Sequence, residues 1–147
     1  DTSLTIFGST ETNLMTFRSR RQINGFTNHS EIRVCTLSLT NGNSSDELVI
    51  RMYKNPTSIG NDSSSNFPNY IAFDEDQSLL VYEVNSDTVS GTSGKQLLSL
   101  RIPPSGTFTQ CLADMNFYMD PEDVFVITGE CDSSCDVGFS VTFIEDI

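Results

Sequence analysis

The sequence predicts an all-β fold: a single antiparallel β-sandwich or jelly roll of about nine or ten strands, forming one domain over residues 1–147. Three observations carry this reading. Short apolar–polar alternating segments recur about every ten residues, divided by turns rich in Gly, Asn, Ser and Pro. No segment long enough for a stable helix shows a 3.6-residue apolar period. Apolar residues make up 37% of the chain and aromatics 10%, with ten Phe and no Trp, which is enough to fill one sandwich core.

Taken in order, Leu4–Phe7 reads as a short first strand. The segment that holds it, residues 1–8, could exchange between subunits by adding to a neighbour's sheet edge. Leu14–Arg20 alternates and ends basic. Glu31–Thr40 places Ile32, Val34 and Thr36 on one face and, across its second half, Cys35, Leu37 and Leu39 on the other. The run Asn41-Gly42-Asn43-Ser44-Ser45-Asp46 carries the strongest short-range hairpin signal, Asn-Gly. Leu48–Lys54 then returns, so Glu31–Lys54 is expected to be a hairpin. Residues 55–68 read as a long exposed loop. Tyr70–Phe73 and Leu79–Val84 are strands around the acidic turn Asp74-Glu75-Asp76, and residues 85–94 form another loop. Gln96–Ile102 is a strand that Pro103-Pro104 ends, because proline cannot donate to a ladder. Phe108–Tyr118 alternates weakly, Met119-Asp120-Pro121-Glu122-Asp123 is a turn, and Val124–Gly129 and Val137–Ile144 are the closing strands.

Charge narrows the partners. Twenty acidic against eight basic residues give a formal net charge of −12. Such a surface repels phosphate backbones and anionic lipid heads, so neither nucleic acid nor a membrane surface is expected as a partner. No stretch approaches the roughly 18 apolar residues of a membrane span. The opening Asp1-Thr2-Ser3-Leu4 lacks the basic start and apolar run of a secretory leader, so a secreted chain is expected here in processed form.

Four cysteines, Cys35, Cys111, Cys131 and Cys135, fit an oxidising compartment and an extracellular or cell-surface location. Three pairings are open. One joins Cys35 to Cys111 and Cys131 to Cys135, the latter stapling a five-residue hairpin tip. The others join Cys111 to Cys131 or to Cys135. Zinc is disfavoured, since it wants two close pairs or added histidines and the chain has one close pair and His29 alone. Sequons at Asn28, Asn43 and Asn61 permit glycosylation in a secretory route.

Catalysis is not signalled. A nucleophilic triad needs an orienting imidazole, and His29, the single histidine, lies in the polar run Thr27-Asn28-His29-Ser30. The carboxylate clusters Asp74/Glu75/Asp76 and Asp120/Glu122/Asp123 lie in predicted turns, where solvation keeps their acidity ordinary and denies them the raised pKa of a general acid. Those same oxygens are candidate calcium ligands, with Asp74, Asp76, Asp120, Glu122 and Asp123 the residues of choice. Glu130, Asp132 and Asp136 form a third acidic group. The one basic cluster, Arg18-Ser19-Arg20-Arg21, reads as edge protection, a contact toward an acidic neighbouring subunit, or a processing site. Tyr53, Tyr70, Tyr82 and Tyr118 could stack on a sugar ring, but all fall in strands where packing competes.

The ending Gly138-Phe139-Ser140-Val141-Thr142-Phe143 resembles the closing strand of CUB-type domains. Four cysteines and a jelly-roll-like sandwich also suit that family. The chain departs from it in its greater length, in the tight spacing of Cys131 and Cys135, and in lacking the family's calcium-ligand pattern. The resemblance implies an extracellular binding module, often calcium-dependent, and carries over no site residue. The leading expectation is therefore a non-catalytic module that recognises a protein or a glycan through loops on a disulfide-stiffened sandwich. The alternative is a structural subunit that self-assembles into a fibre, coat or matrix, with Leu4, Ile6, Arg18, Arg20 and Arg21 at its interface.

Overall fold

The predicted alternation resolves into two antiparallel sheets packed face to face. The computed structural model describes residues 2–6, 11–23, 25–28, 30–55, 71–72, 80–84, 95–115 and 117–146. Its strands are β1 (Thr2–Ile6), β2 (Thr12–Ser19), β3 (Gln22–Ile23), β4 (Phe26–Thr27), β5 (Glu31–Asn41), β6 (Leu48–Lys54), β7 (Ile71–Ala72), β8 (Leu80–Val84), β9 (Lys95–Ile102), β10 (Thr107–Cys111), β11 (Tyr118–Met119), β12 (Val124–Cys131) and β13 (Cys135–Asp146), with a 3-10 turn at Ala113–Met115. One sheet runs β1-β13-β5-β10, with β11 also paired to β5. The other runs β7-β8-β2-β12-β6-β9, and β3 with β4 makes a separate ribbon.

Pairing is nested. The first strand lies against the last, β1 on β13, and β2 lies on β12, β5 on β10, and β6 on β9. The chain therefore crosses directly between the two sheets five times, from β1 to β2, β5 to β6, β9 to β10, β11 to β12 and β12 to β13. Apolar residues from both sheets fill one core: Ile6, Ile32, Leu37 and Leu39 from one side, Leu14, Phe17, Ile50, Met52, Phe125 and Ile127 from the other. Phe17 joins the two sheets, its ring edge-on to Phe143 at 4.8 Å and tilted against Phe125 at 5.9 Å.

Two expected hairpins are instead arches between sheets. β5 and β6 belong to different sheets, so Glu31–Lys54 is not a hairpin. The reason is local. Asn41, only 1% exposed, turns its side chain inward, and its amide nitrogen donates to Asp46 O at 2.9 Å, Ile102 O at 3.1 Å and Pro103 O at 3.2 Å. Its Oδ1 accepts from Asn43 N at 2.9 Å. Gly42 is used for close approach: its N–H donates to Asp136 O at 2.8 Å, and a Cβ there would lie 2.5 Å from that same oxygen. The tight turn falls at Gly25, in the other Asn-Gly pair of the sequence. Ile23 there pairs with Phe26, and Gly25 holds φ +79°, the left-handed backbone that glycine takes without a Cβ penalty. Cys131 and Cys135 likewise close β12 and open β13, so their loop crosses between sheets and is not a hairpin tip.

The expected Phe108–Tyr118 strand divides into β10, the 3-10 turn and β11, whereas the last two strands run longer than expected on both sides of the Cys131–Cys135 arch. Within the expected strands Tyr70–Phe73 and Leu79–Val84, the described residues form the paired β7 and β8, and Tyr70, Phe73 and Leu79 lie outside the described residues. The expected loops over 56–68 and 85–94, and the acidic turn between β7 and β8, lie outside the described residues.

Replacing Gly42 by Ala is expected to cost about 2–3 kcal/mol, because a methyl group would press on backbone that cannot yield. Asn41→Ala should cost a similar amount, about 2–3 kcal/mol, by leaving buried carbonyls unpaired. Urea unfolding checks both, and a loss below about 0.5 kcal/mol for either would contradict this account of the arch.

Candidate functional site

β12 carries chemistry to both ends of the sandwich, and its eight residues separate those ends by about 23 Å at the usual rise per residue. At the Cys131 end, three arches meet: residues 42–47, 103–106 and 132–134. Asn43 ties them together. Its amide nitrogen donates to Ser133 Oγ at 2.8 Å and Ser134 O at 3.0 Å, its Oδ1 accepts from Ser45 N and Asp46 N, and its carbonyl accepts from Ser105 N. Ser133 Oγ also donates to the Asp46 carboxylate. The sequon residue Asn43 is thus woven into the arch. Asn28 is 5% exposed, with its amide nitrogen donating to Arg20 O at 2.7 Å and Ser19 Oγ at 3.2 Å and its Oδ1 accepting from Ser30 N. Neither amide is presented to solvent as a free acceptor group. Asn61 lies outside the described residues.

The cysteines separate into two neighbouring pairs. Cys131 and Cys135 are both 2% exposed and belong to the core cluster. Burial pushes the Cys135 thiol up from its ordinary value, and the adjacent Cys131 thiol adds to that. Cys135 Sγ also donates to Asn41 Oδ1 at 3.1 Å. In the sheet that holds Cys135, Cys111 pairs with Thr36, and the following amide, Leu112 N, donates to Cys35 O at 2.6 Å. Cys35 is half-buried and Cys111 exposed.

At the Val124 end lies the turn Asp120–Asp123. Asp123 N donates back to Asp120 O, and Glu122 takes φ +73° at the position where glycine is usual. The Asp123 carboxylate sits 2.9 Å from Lys54 Nζ and accepts from Asn55 Nδ2 and Asp120 N at 2.9 Å each. Burial pushes its pKa up, but the hydrogen bonds from Asn55 and Lys54 outweigh that and hold it below the ordinary carboxylate value. Asp120, Glu122 and Asp123 therefore do not fit a calcium cage, since the best-placed carboxylate already neutralises a lysine. Among the described residues no group of three acidic, histidine or cysteine side chains converges as metal ligands. Asp74 and Asp76 lie outside the described residues, as does His29.

Beside this turn, β2 ends at Ser19 and the chain leads through Arg20 and Arg21 into the β3–β4 ribbon. Arg18 and Arg20 are half-buried, whereas Arg21, Gln22, Gly25, Phe26 and Thr27 are exposed. Phe26 is 76% exposed, the most open of the large apolar side chains among the described residues. Ile6, by contrast, is fully buried, and β1 is paired within its own chain along Thr2–Ile6. The side chain of Leu4 lies outside the described residues.

A charged cluster that sequence reading did not find lies on the outer side of β6 and β12. Arg51 stands between two carboxylates, at 2.9 Å from Glu130 and 3.7 Å from Glu11. Its pKa is raised, chiefly by the hydrogen bond to Glu130. Glu11 further accepts from Tyr53 Oη at 2.8 Å and from Thr128 Oγ1. A shallow depression of about 230 Å³ opens beside Arg51 and Glu130, lined also by Glu47, Arg101 and Asp132. The register of β6 on β12 brings Arg51 opposite Thr128, a pairing of distant segments with no local sequence signal. The Phe26 ribbon did have one, the Asn-Gly pair at 24–25. Of the tyrosines considered for sugar stacking, Tyr53 is buried in this cluster and Tyr118 lies against the Arg33 guanidinium at 5.0 Å.

Compared with known protein families, curated proteins and solved structures, the chain matches none.

Two outcomes are expected at the Asp123 turn. Because the folded-state pKa of Asp123 is lowered, its contribution to stability is present above the unfolded pKa near 3.9 and is lost as pH falls through the folded value. Asp123→Asn should therefore cost about 1–2 kcal/mol at pH 7, and the gap to the unsubstituted protein should close below about pH 4. A gap independent of pH would contradict the ion-pair account. A chelator should leave the melting temperature unchanged, and a fall would return calcium to this turn or to Asp74 and Asp76.

Proposed function

We propose that the protein is an extracellular, non-catalytic binding module that recognises a partner protein through the β3–β4 ribbon. The single observation that carries this reading is Phe26, open to solvent at the tip of the ribbon, with Arg21 at its base. An exposed aromatic beside an arginine has the side-chain chemistry that supplies most of the energy at protein–protein contacts. Among the described residues the other large aromatics are buried, as with Phe17 and Phe125, or half-buried, as with Phe108 and Phe143. A glycan partner receives less support, because Tyr53 and Tyr118 are engaged within the fold.

Other features fit the same reading. Nested pairing of first strand with last supports the jelly-roll form of the sandwich. Four cysteines suit an oxidising compartment and disulfide formation there. The CUB-like closing strand, which lies in β13, agrees with an extracellular module.

A structural subunit is the second reading, and β9 favours it. That strand is an edge of its sheet, eight residues long, with Leu97, Leu98 and Leu100 half-buried along it. Open apolar edges invite pairing with another chain. Exchange of residues 1–8 is the less favoured route to assembly, since their removal would take Ile6 out of the core and uncover β13.

Phe26→Asp is expected to leave stability within about 0.5 kcal/mol, as for other exposed sites, and to abolish binding to whichever extracellular protein the unsubstituted chain selects from a purified array. A glycan array run in parallel distinguishes the ligand class. If binding is found and survives the substitution, the ribbon is not the recognition element. A large particle mass by light scattering, without any array partner, would favour the subunit reading.

A further inference from the structure

We propose that the four cysteines form two intrachain disulfides of unequal lability: a buried Cys131–Cys135 bond that clips the two sheets together, and an accessible Cys35–Cys111 bond across the outer side of β5 and β10. The inference rests on the oxidising compartment of the reading above, and the fold supplies the pairing.

Of the three possible connectivities, strand register brings only this one together. Cys131 ends β12 in one sheet and Cys135 begins β13 in the other, and the two thiols are in mutual contact inside the core. Cys35 lies between Val34 and Thr36 at the point where β5 shifts register against β13, where one residue of β5 is extra. It stands outside the apolar core, whereas the flanking Val34 is within it. Cys111 pairs with Thr36 next door. Backbones on adjacent antiparallel strands lie within the span that a disulfide bridges without strand movement. The alternatives would join Cys111 or Cys35, outside the core on β10 and β5, to sulfurs packed inside the core at the arch.

The two bonds must then form by different routes. The exposed Cys111 thiolate can attack an external disulfide, that of a thiol oxidoreductase or of oxidised glutathione, and displace one of its sulfurs as a thiol. Cys35 then attacks the mixed disulfide, releases the second sulfur as a thiol and closes the Cys35–Cys111 bond, so two protein thiols are oxidised and one external disulfide is reduced. Cys131 and Cys135 are closed to such a reagent in the folded chain, so their bond must form before the arches close. Once formed it is shielded from reductant by the same burial. A mild reductant acting on the native protein should therefore open one bond and spare the other.

Peptide mapping tests the pairing on protein produced in an oxidising compartment. Cleavage on the N-terminal side of Asp132 separates Cys131 from Cys135 in sequence, so a surviving link between the two fragments reports the bond. The expected map is Cys35–Cys111 with Cys131–Cys135. Mild reduction under native conditions followed by alkylation should then label Cys35 and Cys111 at least tenfold more than Cys131 and Cys135, and labelling should become equal in urea. Any other pairing, or equal labelling of the native protein, overturns the inference while leaving the extracellular reading in place. Four free thiols overturn both. The exposed-site variant Cys35→Ser with Cys111→Ser should fold and still yield the Cys131–Cys135 bond, and two free thiols in it would count against the buried clip independently of the map.

Discussion

The structure depends on a polar residue buried where the chain changes sheets. Asn41 lies at the end of β5, where apolar packing alone would leave the carbonyls of Ile102, Pro103 and Asp46 facing each other across the gap between sheets. The two N–H groups of one amide reach all three, Pro103 O accepting also from Gly106 N, and its Oδ1 receives Asn43 N and Cys135 Sγ in return. Buried carbonyls without partners are costly, and an asparagine can satisfy several at once because its amide carries two donors and an acceptor. The core on either side is apolar and non-directional, so it does not by itself specify which strand enters which sheet. The arch end does specify it, and the register of every neighbouring strand follows from where those arches are pinned.

Much of the fold was legible because alternation is local. β5, β6, β9 and β13 lie close to where apolar–polar alternation placed them, and Pro103-Pro104 ended β9 for the reason expected. What alternation does not contain is the partner of each strand. Asn-Gly occurs twice, and the dipeptide alone does not tell a turn from a close approach. At 24–25 the glycine takes positive φ and makes the turn, whereas at 42 it makes room for Asp136. The same limit explains the site. Arg51, Glu11 and Glu130 are far apart in the chain and carry no shared motif, and they meet only through the pairing of β12 with β6 on one side and β2 on the other. Local acidic density, conversely, overstated the turn at 120–123, where a lysine from β6 takes the place a cation would have had.

The distribution of charge gives the two ends of the sandwich different characters. The arch end is built from neutral amides and hydroxyls with Asp46 among them, and the depression beside it alternates carboxylates with guanidiniums. The opposite end gathers Arg18, Arg20, Arg21, Lys54 and Lys95, five of the eight basic residues, and Arg21 and Phe26 there are left uncommitted to the core. In a chain with a net charge of −12, an exposed basic and aromatic end is the region where an acidic surface can approach with the least repulsion. The disulfide clip, if it closes at the other end, stiffens the scaffold without touching this surface.

Nested strand pairing also determines when the molecule can exist at all. β12 occupies the middle of one sheet and β13 lies between β1 and β5 in the other, so central slots of both sheets are filled by segments that follow their neighbours β2, β5 and β6 in the chain. Until residues 124–146 join them, β2, β5 and β6 each lack one of their two neighbours, having only β8, β10 and β9 beside them. The strand pairs join segments far apart in the sequence, a topology that folds slowly and leaves apolar edges open in the interval. Neither sheet can therefore be completed before residues 124–146 are available, and until then the chain depends on whatever in its compartment shields unpaired strands.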